Sequence, residues 1–143
     1  MELSAFLGTF VFSVVVFFAI DMVWLTRFAK NFYIKNIGVI LRRNAAGKLA
    51  PRWVEAIAFY LLYVLGTVFF GVRMSLISGE NALNALVYGA LFGFFAYATY
   101  DLTNRATIET FPLKVVVIDL IWGAFISGTV SLAGFLFATA FLV

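Results

Sequence analysis

The sequence predicts an all-α membrane protein of four transmembrane helices, and three observations carry that prediction. Of its 143 residues, 64% are hydrophobic and 12% charged, where a soluble domain typically has about 45–50% and 25%. There is too little polar surface to cover such a chain in water. The apolar residues gather into four stretches, Ala5–Leu25, Trp53–Val72, Ala82–Tyr100 and Leu113–Phe141, each close to or above the ~20 residues that cross ~30 Å of hydrocarbon. The cations gather in one place. The loop between the first and second stretches carries Arg27, Lys30, Lys35, Arg42, Arg43, Lys48 and Arg52 and no acid. Residues 1–143 read as a single transmembrane four-helix domain.

The first stretch is read as a retained helix rather than a leader, because Glu2 and no basic residue precedes it and no small-residue cleavage site follows. The positive-inside bias puts the long basic loop in the cytoplasm and both termini outside. Within that loop, Phe28, Phe32, Tyr33, Ile37, Ile40 and Leu41 are interleaved with the cations, but they scatter on a helical wheel and Gly38 interrupts them. A helix lying on the membrane surface and a solvated topology determinant are both open. Pro51 and Pro112 suit the first turns of the second and fourth helices, where a missing N–H costs nothing. Gly89 and Gly93 on the third helix, with Gly123, Ser127 and Ser131 on the fourth, recur at four-residue spacing. Small residues so spaced let helix backbones approach closely in lipid, either as a seam between these two helices or between copies of the chain.

The chain holds no Cys and no His, which removes thiol nucleophiles, disulfides, the usual zinc sites and a His general base. Any metal would need oxygen ligands, and no cofactor is expected. The net charge of +3 reflects topology rather than an affinity for nucleic acid, since the cations flank apolar spans. Membrane lipids are the expected surroundings.

Chemistry, if any, falls to acids within or beside the spans: Asp21, Glu55, Asp101 and Asp119. Asp21 lies six residues before Arg27, Glu55 three after Arg52, Asp101 four before Arg105 and Asp119 five after Lys114. At ~1.5 Å per residue all four acids share one layer near the cytoplasmic edge. Two have ordinary explanations. Glu55 is in a first turn, where the helix dipole favours a carboxylate, and Asp101 has Arg105 at i,i+4 spacing for an ion pair. Asp21 and Asp119 are more than a turn inside their spans, and ionisable groups there face the bundle interior or mark a ligand path. Each has a tryptophan three residues on, Trp24 and Trp122, and thus on its own helical face. If the third helix runs on past Tyr100, Tyr97, Asp101 and Asn104 share a face, converging a phenol, a carboxylate and an amide on the same layer.

These residues carry a family resemblance. The motifs D-x-x-W-L at Asp21 to Leu25, F-Y at Phe32 and Tyr33, G-x-x-F-G-x-x-A-Y-A-T-Y-D-L-T-N-x-A-T from Gly89 to Thr107, and D-x-x-W-G from Asp119 to Gly123 stand in this chain. Over nearly its whole length it resembles the bacterial inner-membrane proteins grouped as domain of unknown function 2177. Phe111, before Pro112, stands where that pattern has Trp. The resemblance implies a four-helix bacterial inner-membrane protein and supplies no activity. It implies that Asp21, Trp24, Tyr97, Asp101, Asn104, Asp119 and Trp122 are signature positions, and it leaves Glu55 outside them.

Three functions compete on this reading. In the first, the acids bind or pass a small cationic or amphipathic ligand, or a proton, in a pocket formed by Asp21, Trp24, Tyr97, Asp101, Asn104, Asp119 and Trp122. So short a chain would then favour a homo-oligomer. In the second, a membrane enzyme uses carboxyl acid–base chemistry on a lipid or other apolar substrate, or holds Mg²⁺ with the acids and Asn104. In the third, the acids lock the bundle of a structural or accessory subunit.

Overall fold

A computed structural model of the chain describes residues 1–79 and 81–142, so that Glu80 of the short second loop and Val143 lie outside the described residues. Among the described residues four helices are long and apolar enough to cross a membrane: α1 (Leu3–Phe28), α3 (Trp53–Ile77), α4 (Ala82–Thr107) and α5 (Leu113–Phe141). A short helix, α2 (Lys30–Ile37), follows α1. α1 is π-helical over its last turn, Trp24–Phe28, and α3 over Thr67–Arg73. α4 continues seven residues beyond the predicted end at Tyr100, which makes the polar run through Asn104 helical. Asn81 caps α4 by accepting the Leu83 N–H at 2.8 Å, a donor the first turn cannot use internally. The two prolines stand just ahead of their helices rather than in the first turns, Pro112 as the cap of α5 in an extended conformation and Pro51 two residues before α3.

The faces of α1 show which solvent the fold expects. Ala5, Thr9, Ser13, Phe17 and Asp21 are buried at four-residue spacing, while Leu3, Leu7, Val11, Val15 and Phe18 are exposed on the other side. Large apolar side chains point outward and small or polar ones inward. In water that arrangement would be inverted; in a bilayer apolar side chains face lipid at no cost and polar groups find partners inside. α5 is the most enclosed helix, and Ile126 and Val130 on it pack with Phe17 of α1, Val64, Val68 and Val72 of α3 and Ala85 of α4.

α4 and α5 meet along the predicted seam. A Cβ built on Gly93 would collide with the Gly123 carbonyl oxygen and lie 2.5 Å from Ser127 Oγ, and one on Gly89 would lie 2.5 Å from the Ser127 carbonyl oxygen. α3 joins through Gly71, whose Cβ would strike Ser131 Oγ and lie 3.3 Å from Gly89 Cα. Gly71 belongs to the π-helical stretch of α3, where the widened turn lets a third backbone approach the other two.

The basic loop is folded against one end of this bundle. Phe32, Tyr33 and Ile37 of α2 pack on buried Phe111, Val115 and Val116 at the start of α5. Beyond α2 the chain turns back through Arg43 and Leu49, which pair as a single bridge. Asn44 Oδ1 accepts the N–H groups of Ala46 and Lys48, both at 3.0 Å, and Gly47 supplies the positive φ the turn requires. The scattered apolar positions of the sequence thus divide. Phe32, Tyr33 and Ile37 turn inward, and Phe28 and Ile40 stay exposed.

Candidate acidic site at the loop end of the bundle

The three acids inside the spans are buried, and none of them forms an ion pair with a cation among the described residues. Among the described residues there is one ion pair, Arg52 with Glu55 at 3.7 Å, between exposed side chains. This accounts for Glu55 as a surface residue and removes it from the site. The expected partner of Asp101 is engaged elsewhere: Arg105 Nη1 donates to the carbonyl of Phe111 at 2.6 Å and so tethers the loop between α4 and α5.

Asp119 is the hub. It projects from the second turn of α5 toward α2, where the Tyr33 hydroxyl donates to its Oδ1 at 2.5 Å. The carboxyl of Asp101, from α4, lies beside it. Asp101 is fully buried, and neither of its oxygens receives a hydrogen bond from an N–H or O–H group of the described residues. Burial, and next the Asp119 carboxylate, push the Tyr33 phenol above its ordinary range, so Tyr33 remains an O–H donor throughout physiological pH.

Asp21 forms a second, neighbouring group. The Tyr60 hydroxyl of α3 donates to its Oδ2 at 2.7 Å. Trp24, one turn on in the π-helical end of α1, stacks on Trp122 with ring centroids 4.3 Å apart and planes 10° from parallel. The two D-x-x-W motifs, from antiparallel helices, are therefore joined by their indoles. Both indole N–H groups are buried, and neither meets an acceptor in hydrogen-bonding geometry among the described residues. Tyr97 sits between the groups, its ring edge-on to Tyr63 at 5.9 Å, and Tyr63 in turn shares a 2.8 Å hydrogen bond with Ser127.

Six of the seven positions singled out in the sequence, all but Asn104, are brought together in this layer. Asn104 is half-buried on α4, and no hydrogen bond joins its amide to the acids among the described residues. The acids do not form one cluster either. Asp101 and Asp119 lie side by side while Asp21 has its own partner, Tyr60, and no three acids among the described residues are grouped so as to hold a metal ion.

The structure adds Tyr33, Tyr60 and Tyr63. Tyr33 stands in the F-Y motif, where its role was legible only as a signature. Tyr60 lies eight residues beyond Arg52, ~12 Å along the helix, close to the depth of Asp21 below Arg27. The same depth count that aligned the acids, extended to tyrosines, would have found it.

Asp119 also borders open space. A cavity of ≈ 410 Å³ lies between the basic loop and the bundle, with Tyr33, Asp119, Lys30, Arg42 and the apolar Leu25, Ile37 and Phe111 among its walls. A mostly apolar space of this size with a few converging polar groups has the form of a small-molecule site.

No curated protein and no solved structure matches the chain. The family described as "Predicted membrane protein (DUF2177)" matches residues 6–136, nearly the whole chain, and this membrane protein belongs to that family.

Proposed function

We propose that the protein lies in the bacterial cytoplasmic membrane with its basic loop inside, and that it binds a small amphipathic molecule from the cytoplasmic side, holding the cationic end of that molecule at Asp119. The observation that supports this reading is the position of Asp119. It stands on the wall of the cavity, next to Asp101, whose buried oxygens receive no N–H or O–H donor among the described residues. Buried polar groups without partners are rare in native folds, because each costs on the order of 1–3 kcal/mol. Two buried carboxyls side by side, with no ion pair to either among the described residues, are balanced by a proton held between them or by a ligand that brings positive charge, and the cavity gives such a ligand access to Asp119. A purely structural latch would be satisfied within the chain, as Glu55 is by Arg52.

Native mass spectrometry of gently extracted protein tests this. A bound small molecule is expected on the wild type and absent from Asp119→Asn and Asp101→Asn, with all three proteins eluting alike. The same adducts on all three, or none on any, would refute the proposal.

The orientation has its own test, since the chain lacks Cys. Single cysteines at positions 35 and 80 are expected to react with an impermeant thiol reagent in intact cells only at 80. Labelling at 35 would reverse the topology and put the cavity on the outer side.

A further inference from the structure

Lys30 and Arg42 border the same cavity as Asp119. Neither forms an ion pair among the described residues. Arg42 Nη1 donates to the Ala50 carbonyl, while its other guanidinium N–H groups make no hydrogen bond among the described residues. Topology alone does not call for this placement, since a cation anywhere in the loop serves the positive-inside bias. Lys35, Arg43 and Lys48 fulfil that role without lining the cavity.

We infer that the ligand of this cavity carries a phosphate ester as well as an amine, the headgroup chemistry of an aminophospholipid, with Lys30 and Arg42 taking the phosphate and Asp119 the ammonium. The inference rests on the proposal that Asp119 holds a cationic end. Charge complementarity selects both signs at once. A ligand with only an amine leaves two cations facing it without a counter-charge, and one with only a phosphate confronts the Asp119 carboxylate. Arg offers phosphate a fork of N–H donors and Lys a mobile point charge. The remaining walls, including Leu41 and Leu49, are apolar and suit the start of the acyl chains. Phospholipid headgroups meet the protein at the depth where a loop flanking a span resides, and basic pockets at that depth are recurrent headgroup sites.

The test compares three probes on the delipidated full chain by native mass spectrometry: phosphatidylethanolamine, a long-chain primary alkylamine and phosphatidic acid. Wild type is expected to retain phosphatidylethanolamine most tightly. The double variant Lys30→Gln/Arg42→Gln should lower that retention at least tenfold while leaving the alkylamine unchanged, and Lys30→Arg/Arg42→Lys should restore it. Unaltered alkylamine binding shows that the double variant keeps its cavity. Retention of phosphatidylethanolamine that is unchanged without the two cations, or wild-type preference for phosphatidic acid, overturns this inference and leaves the cationic end at Asp119 intact. Alkylamine retention unchanged in Asp119→Asn overturns the proposal beneath it.

Discussion

Gly93→Ala is expected to destabilise the bundle by about 1–3 kcal/mol, the usual cost of forcing a methyl group into a packed interior, and Gly93→Leu to prevent its assembly. An alanine would ordinarily favour a helix interior over glycine by about 1 kcal/mol, so a loss at this position reports tertiary packing alone. The reason is the obstacle. The new Cβ would meet the Gly123 carbonyl oxygen and, 2.5 Å away, Ser127 Oγ. A backbone atom cannot swing aside as a side chain can, so α4 and α5 must separate. Lipid offers no compensation, because the faces pulled apart gain nothing from leaving one another for acyl chains. Gly8→Ala is the control, since its Cβ would meet only the tip of Leu142 at 3.1 Å. Thermal midpoints of the detergent-extracted proteins should fall sharply for Gly93→Ala and stay near wild type for Gly8→Ala. Equal midpoints would mean that the α4–α5 seam does not hold the bundle together.

The spans and that seam were legible because each is a property of one helix at a time: a run of apolar residues, or small residues every four positions. The buried side of α1 was equally legible in retrospect, with Thr9, Ser13 and Asp21 at four-residue spacing among large apolar neighbours. What the sequence could not yield was the pairing between helices. Asp101 lies four residues from Arg105, and local spacing favours that ion pair, yet Asp101 turns inward to Asp119 while Arg105 ties down the loop at Phe111. The tyrosines were missed for a physical reason. Inside a span, Tyr60 and Tyr63 count toward hydrophobicity, and only their neighbours reveal that the hydroxyls are in use. Tyr33 required a contact across 86 residues of chain. Nor does a polar residue on the right face always join the site, as Asn104 shows: it is half-buried one turn beyond Asp101, and its amide forms no hydrogen bond with the acids among the described residues.

Phe111→Ala is expected to detach α2 from the bundle and, with it, to remove the ligand binding proposed for the cavity. Phe111 is 2% exposed and packs with Val115 and Val116 against Phe32, Tyr33 and Ile37. Truncating a buried phenylalanine costs about 3–5 kcal/mol, and here the cost falls on a short helix with few other attachments. α2 has eight residues, fewer than the roughly 12 an isolated helix needs to persist in water, so it depends on this cluster for its fold. Once released, Tyr33 leaves Asp119, and Lys30 and Arg42 leave the cavity walls that they share with it. Local opening of this size should speed tryptic cleavage at Lys30 and Lys35 at least ~100-fold in the detergent-extracted protein, because cleavage follows the population of the open form. Tyr33→Phe separates the cap from the hydrogen bond. It removes one charge-assisted bond, about 1.5–3 kcal/mol, and keeps the aromatic packing, so cleavage should rise far less while ligand retention still falls. If Phe111→Ala leaves both cleavage and ligand retention at wild-type levels, the apolar cluster does not hold the basic loop, and the cavity beneath it has another architecture.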